Sequence, residues 1–205
     1  IARVHDIAKG AALMTGTTVE TKVYSGVSNL VGNLPLEQAM QAEFDKLGPV
    51  PFEKEDEAFA NQIRKTLTTD DIAASFQRAG RETPPDLPLC DFVAPLVRPS
   101  HGGEGSTDVG DVSWVTPTVQ ARVATCAVGT PFHTWQTVAQ GKAPVAHKGM
   151  VHAAKVMAAT ATHLINSSET LKAARDVHDK RQQTTPYVCP IPPNVKPPVI
   201  DEPLS

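Results

Sequence analysis

Proline limits this chain more than any other residue type. Of its 18 prolines, five fall between Pro84 and Pro99 and seven between Pro186 and Pro203. Each one removes a backbone donor and pushes the residue before it toward extended conformations. Neither stretch can hold a helix or a central strand, so regular structure is expected on either side of the first cluster and ahead of the second. The tail from 184 to 205 is expected to run extended over the surface or to stay unstructured.

Hydrophobic spacing fills the permitted regions. Residues 3–14 read as a helix, with Val4, Ile7, Ala8, Ala11 and Ala12 on one stripe and Gly16 as the stop. Residues 18–24 alternate, with Val19, Thr21 and Val23 on one face, as a half-solvated strand would. The Gly-, Asn- and Ser-bearing run 26–33 is the best domain boundary. Pro35 suits the first turn of a second helix that Gly48-Pro49 ends, and Leu36, Ala39, Met40, Glu43 and Phe44 share its face. Residues 55–65 and 69–79 read as short helices, the second opened by Asp70 and Asp71. The run 118–128 (TVQARVATCAV) is the clearest strand. Residues 149–165 are the clearest helix, with Met150, Ala154, Met157, Ala161 and Leu164 on one stripe widened by Val151, Ala158 and Ile165. Ser167 or Ser168 caps a last helix that reaches about Gln183. Strands separated by helical stretches predict an α/β fold, a sheet flanked by helices.

Composition excludes several function classes. With 19 Lys and Arg against 22 Asp and Glu, the net charge is −3. No basic excess exists to capture nucleic acid or an anionic membrane surface. No apolar run approaches the roughly 20 residues of a membrane span. The three cysteines, Cys90, Cys126 and Cys189, form no CxxC pair and suit a reducing, cytoplasmic compartment. The start carries neither a signal peptide nor an initiator Met, which suggests a chain that begins inside a longer protein.

Histidine supplies the candidate chemistry. His5 and His178 lie on predicted helices among charged neighbours and are expected on solvated faces. His152 and His163 share a helix face but stand roughly 16 Å apart at helical rise, too far to share a metal. His133 differs, because it follows the predicted strand directly in Gly129-Thr130-Pro131-Phe132-His133-Thr134-Trp135. Ligand-binding residues gather beyond the carboxyl ends of strands in open sheets, and Phe132 and Trp135 would supply an apolar shell. A satisfied structural histidine fits the same spacing. A second candidate is Gly105-Ser106-Thr107-Asp108-Val109-Gly110-Asp111. It reads either as a capped short helix or as a helix start whose hydroxyls and N–H groups hold a substrate carboxylate. No P-loop, GxSxG or HExxH occurs. A cysteine nucleophile at Cys126 is disfavoured, since a mid-strand thiol is buried and kept from ionising.

Three stretches together, GSTDVGDVSWVTPTVQ, ATCAVGTPFHTWQ and AHKGMVHAAKVMAATA, resemble the C-terminal part of the M20 metallopeptidase and amidohydrolase family. In that family a dimerising α/β lid interrupts the catalytic domain. The resemblance implies that residues 1–26 end the lid and that 27–205 form the C-terminal half of the catalytic domain. It implies a metal-dependent amidohydrolase cleaving an amide bond to glutamate in a small, aminobenzoyl-glutamate-like substrate. Two divalent metals, Zn or Mn, would activate a water. By the same resemblance His133 matches the last metal ligand, and Ser106, Thr107 and Asp108 match a loop beside the site that would help place the substrate carboxylate. Thr107 stands where many relatives carry Glu. His147 is a rival for the ligand role. The remaining ligands and the Glu general base would lie upstream of this chain, leaving its own site incomplete. A homo- or hetero-dimer through the lid is the implied assembly. The rival class is a non-catalytic lobe that serves as a binding or assembly partner.

Overall fold

A computed structural model describes residues 1–81, 87–96 and 107–196. Eight helices account for the regular structure of these residues: α1 (Ala2–Thr15), α2 (Leu34–Leu47), α3 (Lys54–Arg64), α4 (Thr69–Arg78), α5 (Val109–Val115), α6 (Trp135–Gln140), α7 (Pro144–Ile165) and α8 (Ser168–Thr184). The described residues contain no strand, which overturns the expected α/β class. Both predicted strands, 18–24 and 118–128, are irregular. β-propensity expresses how well a side chain fits a pleated, half-buried surface, and a strand exists only where a neighbour completes its ladder. Val19, Thr21 and Val23 have no such neighbour among the described residues, and neither has the Val-rich run after Pro117.

The helices start and stop where local chemistry says they should. Asn33 caps α2, its Oδ1 accepting from Leu36 N at 3.4 Å, with Pro35 in the first turn and Gly48 as the stop. Thr68 and Asp71 form a reciprocal capping box on α4. Ser167 caps α8 by accepting from Thr170 N at 3.3 Å. The Pro-rich tail carries no helix over its described residues 185–196.

Helix α2 packs on both α7 and α8. Leu36, Ala39, Met40, Val156 and Ala174 are buried there. Two polar links fix the arrangement: Asn33 Nδ2 donates to Ala174 O at 2.8 Å in the interior, and half-buried His163 Nδ1 meets Glu43 Oε1 at 2.8 Å. A second cluster joins Ala60, Ile63, Leu89, Ala127 and Val145, flanked by Phe52 and Phe59. Helix α3 is tied across to α7, because Lys148 Nζ reaches Glu53 at 2.8 Å and Asp56 at 2.5 Å. Helix α1 has no buried residue, with Ile7 71% and Leu13 83% exposed.

The buried face of α7 is not the predicted one. Val145, Gly149, His152, Val156 and Thr160 face inward, whereas Met150, Val151, Met157 and Ile165 are exposed. Helix α7 is apolar on most sides, so periodicity cannot choose the face. Close approach chooses it: a Cβ on Gly149 would lie 2.1 Å from Ala124 O. No helix among the described residues is long and apolar enough to cross a membrane.

Candidate functional site

His133 stands on a tightly built turn between the Val-rich run and α6. Ala127 N donates to Gln140 Oε1 at 2.7 Å, and Gln140 Nε2 donates to Thr130 Oγ1 at 3.0 Å. Gly129 N donates to Ser75 Oγ at 3.1 Å, which fastens the turn to α4. Gly129 has φ +96, and a Cβ there would sit 2.7 Å from Ile72 Cγ1, so only glycine fits. Pro131 O accepts from Thr134 Oγ1 at 2.8 Å and from Thr137 Oγ1 at 2.7 Å. Between these anchors His133 takes φ 63, the one non-glycine positive φ among the described residues. That conformation costs on the order of 1 kcal/mol and persists because the surrounding bonds over-determine it. The imidazole is exposed as a result. Phe132 and Trp135 are 74% and 61% exposed, so the expected apolar shell is open.

Of the loop candidates, Ser106 lies outside the described residues. Thr107 and Asp108 precede α5, where Thr107 Oγ1 accepts from Val109 N at 3.3 Å and Thr107 O accepts from Gly110 N at 3.0 Å. Asp108 is exposed and its side chain makes no capping bond, so the carboxylate is free of the helix end. The helix itself is held firmly. Asp111 accepts from Tyr187 Oη at 2.8 Å and from Ser28 N at 3.1 Å. Those bonds hold the Asp111 carboxyl below its ordinary range, and the same carboxylate pushes the Tyr187 phenol up. Ser113 Oγ accepts from Val31 N at 2.9 Å, and Trp114 Nε1 donates to Asn29 O at 2.9 Å. Gly110 packs so closely on Ser28 that a Cβ would fall 2.0 Å from its carbonyl oxygen.

The two candidates therefore rest on different scaffolds, His133 on α4 and α6, and Thr107 with Asp108 on residues 28–31, α8 and Tyr187. No hydrogen bond among the described residues joins them. The link from Asp111 to Tyr187 and Ser28 escaped the sequence, since its partners lie 76 and 83 residues from Asp111 and nothing local marks them.

The other histidines sort by contact. His147 is exposed at the start of α7. His178, expected on a solvated face, is buried, and its Nε2–H donates to Trp114 O at 3.1 Å, an oxygen that also accepts from Gln182. A hydrogen bond to Glu43 at 2.8 Å occupies His163, and hydrogen bonds from Lys46 and then His163 hold the Glu43 carboxyl low. His152 is buried, and its Nε2 has no partner among the described residues. Burial pushes the Asp56 carboxyl up, but hydrogen bonds from Lys148 and the Glu53 backbone outweigh it and hold it low. The thiols of Cys90 and Cys126 are both pushed up by burial, which leaves neither poised as a nucleophile. Among the described residues no group of three or more His, Cys, Asp or Glu could hold a metal ion. A catalytic zinc takes three protein ligands, so these residues alone do not make its site.

The chain is 44% identical over 209 residues to a p-aminobenzoyl-glutamate hydrolase subunit of Escherichia coli (strain K12). The match covers 95% of this chain and 43% of that protein, and it falls in the C-terminal part of the longer sequence. No protein-family model matches the chain. No solved structure matches it either.

Proposed function

We propose that this chain is the C-terminal share of a metal-dependent hydrolase that cleaves an amide bond to glutamate, with p-aminobenzoyl-glutamate as the substrate class. The activity named for the E. coli relative supports the substrate, and the resemblance of GSTDVGDVSWVTPTVQ and ATCAVGTPFHTWQ to metallo-amidohydrolases supports the metal. The observation that carries the reading is His133. A non-glycine residue holds the left-handed region in a turn tied down by five hydrogen bonds around it, and His133 stands exposed on that turn. Strain of this kind is retained where a side chain must be aimed.

In this reading His133 contributes one ligand, and Zn or Mn is completed by groups outside the described residues. Ser106, Thr107 and Asp108 would help place the substrate carboxylate. A dimer formed through residues upstream of α2 is part of the same proposal. The word "subunit" in the relative's name favours a second reading, a lobe that works only with a partner polypeptide.

The test is release of p-aminobenzoate from p-aminobenzoyl-glutamate by the assembled protein, together with its metal content. Replacing His133 by Ala should abolish turnover and lower bound metal while the far-UV spectrum is unchanged. His163→Ala should leave metal content intact. Equal metal and turnover in His133→Ala, with loss in His147→Ala, would assign the ligand to His147. Loss in neither variant would overturn the metallohydrolase reading.

A further inference from the structure

Helix α6 is built inside out. A surface helix ordinarily turns its apolar residues inward and its polar ones to solvent. In α6 the buried residue is Gln140, whose side chain accepts from Ala127 N at 2.7 Å and donates to Thr130 Oγ1 at 3.0 Å. Half-buried Thr137 donates to Pro131 O at 2.7 Å. The apolar side chains are left outside. Trp135 is 61% and Val138 79% exposed, and Phe132, in the turn just ahead of the helix, is 74% exposed. Trp135 and Val138 stand three residues apart and so share a face. Neither Phe132 nor Trp135 makes a ring or cation contact among the described residues.

Polar residues already fill the space beneath α6, so packing within the described residues gives the two rings no role. They bracket His133, and bonds at Gly129, Pro131 and Gln140 tie down the backbone that carries them. Large rings presented on an ordered backbone are the usual anchors of binding sites, because they supply contact area with few rotatable bonds to freeze.

The substrate class adds a constraint of its own. In an aminobenzoyl amide the scissile carbonyl carbon is bonded directly to the aromatic ring. Whatever holds the ring therefore stands beside whatever acts on the amide. Consecutive Cα atoms lie about 3.8 Å apart, and Phe132 and Trp135 are one and two residues from His133. We infer that Phe132 and Trp135 form the aryl subsite of the hydrolase, receiving the ring of the acyl group and selecting aryl over alkyl amides. The inference rests on the substrate class and the role of His133 proposed above, and it adds the residues that recognise the acyl half. An aromatic acyl group gains the offset or edge-on contact that ring pairs prefer. A saturated ring of similar size buries comparable area without that contact.

The test compares two amides of glutamate on the assembled protein, one with a p-aminobenzoyl and one with a cyclohexanecarbonyl group. Trp135→Leu should lower kcat/KM for the aryl amide by roughly tenfold, mostly through KM, and change the cyclohexyl amide by less than about threefold. If the cyclohexyl amide is bound but not cleaved, its inhibition constant replaces KM in the comparison. Phe132→Leu should act in the same direction, and Trp135→Phe should restore most of the aryl preference. Bound metal and thermal unfolding should match wild type in all three variants. Equal losses on the two amides, or loss on neither, overturn the inference while wild-type release of p-aminobenzoate leaves the reading beneath it standing. No release by the wild-type protein would overturn that reading, and the inference with it.

Discussion

Gly149→Ala is the sharpest test of the packing described above, because the same substitution elsewhere should act in the opposite direction. In a helix interior Ala is worth about 1 kcal/mol over Gly. At Gly149 that gain meets Ala124 O at 2.1 Å, Thr125 Cγ2 at 2.8 Å and Ala124 C at 3.0 Å. Two of the three obstacles are backbone, so relief requires moving either α7 or the segment anchored at Val128. Overpacking of this kind costs about 3 kcal/mol, the upper end of its usual range, which leaves a net loss of about 2 kcal/mol. For a domain of this size such a loss lowers Tm by about 4–8 °C. Thermal unfolding followed by circular dichroism gives the number directly. Gly10, in α1, has nothing within 4 Å of the place an added methyl would take. Because α1 has no buried residue, Gly10→Ala should raise helical ellipticity and amide protection in α1 and leave the main transition in place. A Tm for Gly149→Ala at or above wild type would refute the close contact between α7 and Ala124.

Other outcomes follow from individual groups. The Asp56 carboxyl is held low, so its contribution is present above the unfolded-state value near pH ~4 and is lost as pH falls through the folded one. Asp56→Asn should therefore cost about 2 kcal/mol at neutral pH, from a weakened ion pair and a lost cap bond, and should flatten the acid limb of stability measured in urea. Equal acid limbs in the two proteins would show that Asp56 is not the group responsible. Cys189 is exposed, whereas burial disfavours the thiolates of Cys90 and Cys126. Iodoacetamide at about pH 7.5 should label Cys189 first, as read by peptide mass spectrometry; prior labelling of Cys126 would contradict its burial. His133→Gly should stabilise this chain by about 1 kcal/mol through relief of the positive φ, and a lower Tm would mean that the imidazole contributes packing.

Sequence alone determined whatever depends on residues a few positions apart. Asn33, Pro35 and Gly48 bound α2 because caps act over three or four residues, and Thr68 with Asp71 opens α4 for the same reason. The proline clusters excluded helix from the described part of the tail by removing donors one at a time. The turn at 129–133 was recognisable as a place where a side chain is presented, since glycine and proline announce a sharp bend. Its strain was not, because the left-handed φ of His133 is imposed by Ser75, Gln140 and the threonines around Pro131. Only tertiary structure decided which way α7 faces, as its apolar residues surround it and a glycine under Ala124 O made the choice. It also decided that the run 117–124 is not a strand in this chain. A strand is a relation between two segments, and propensity describes one of them. The Val-rich run carries the side chains of a strand, but no second segment among the described residues pairs with its backbone to form a ladder.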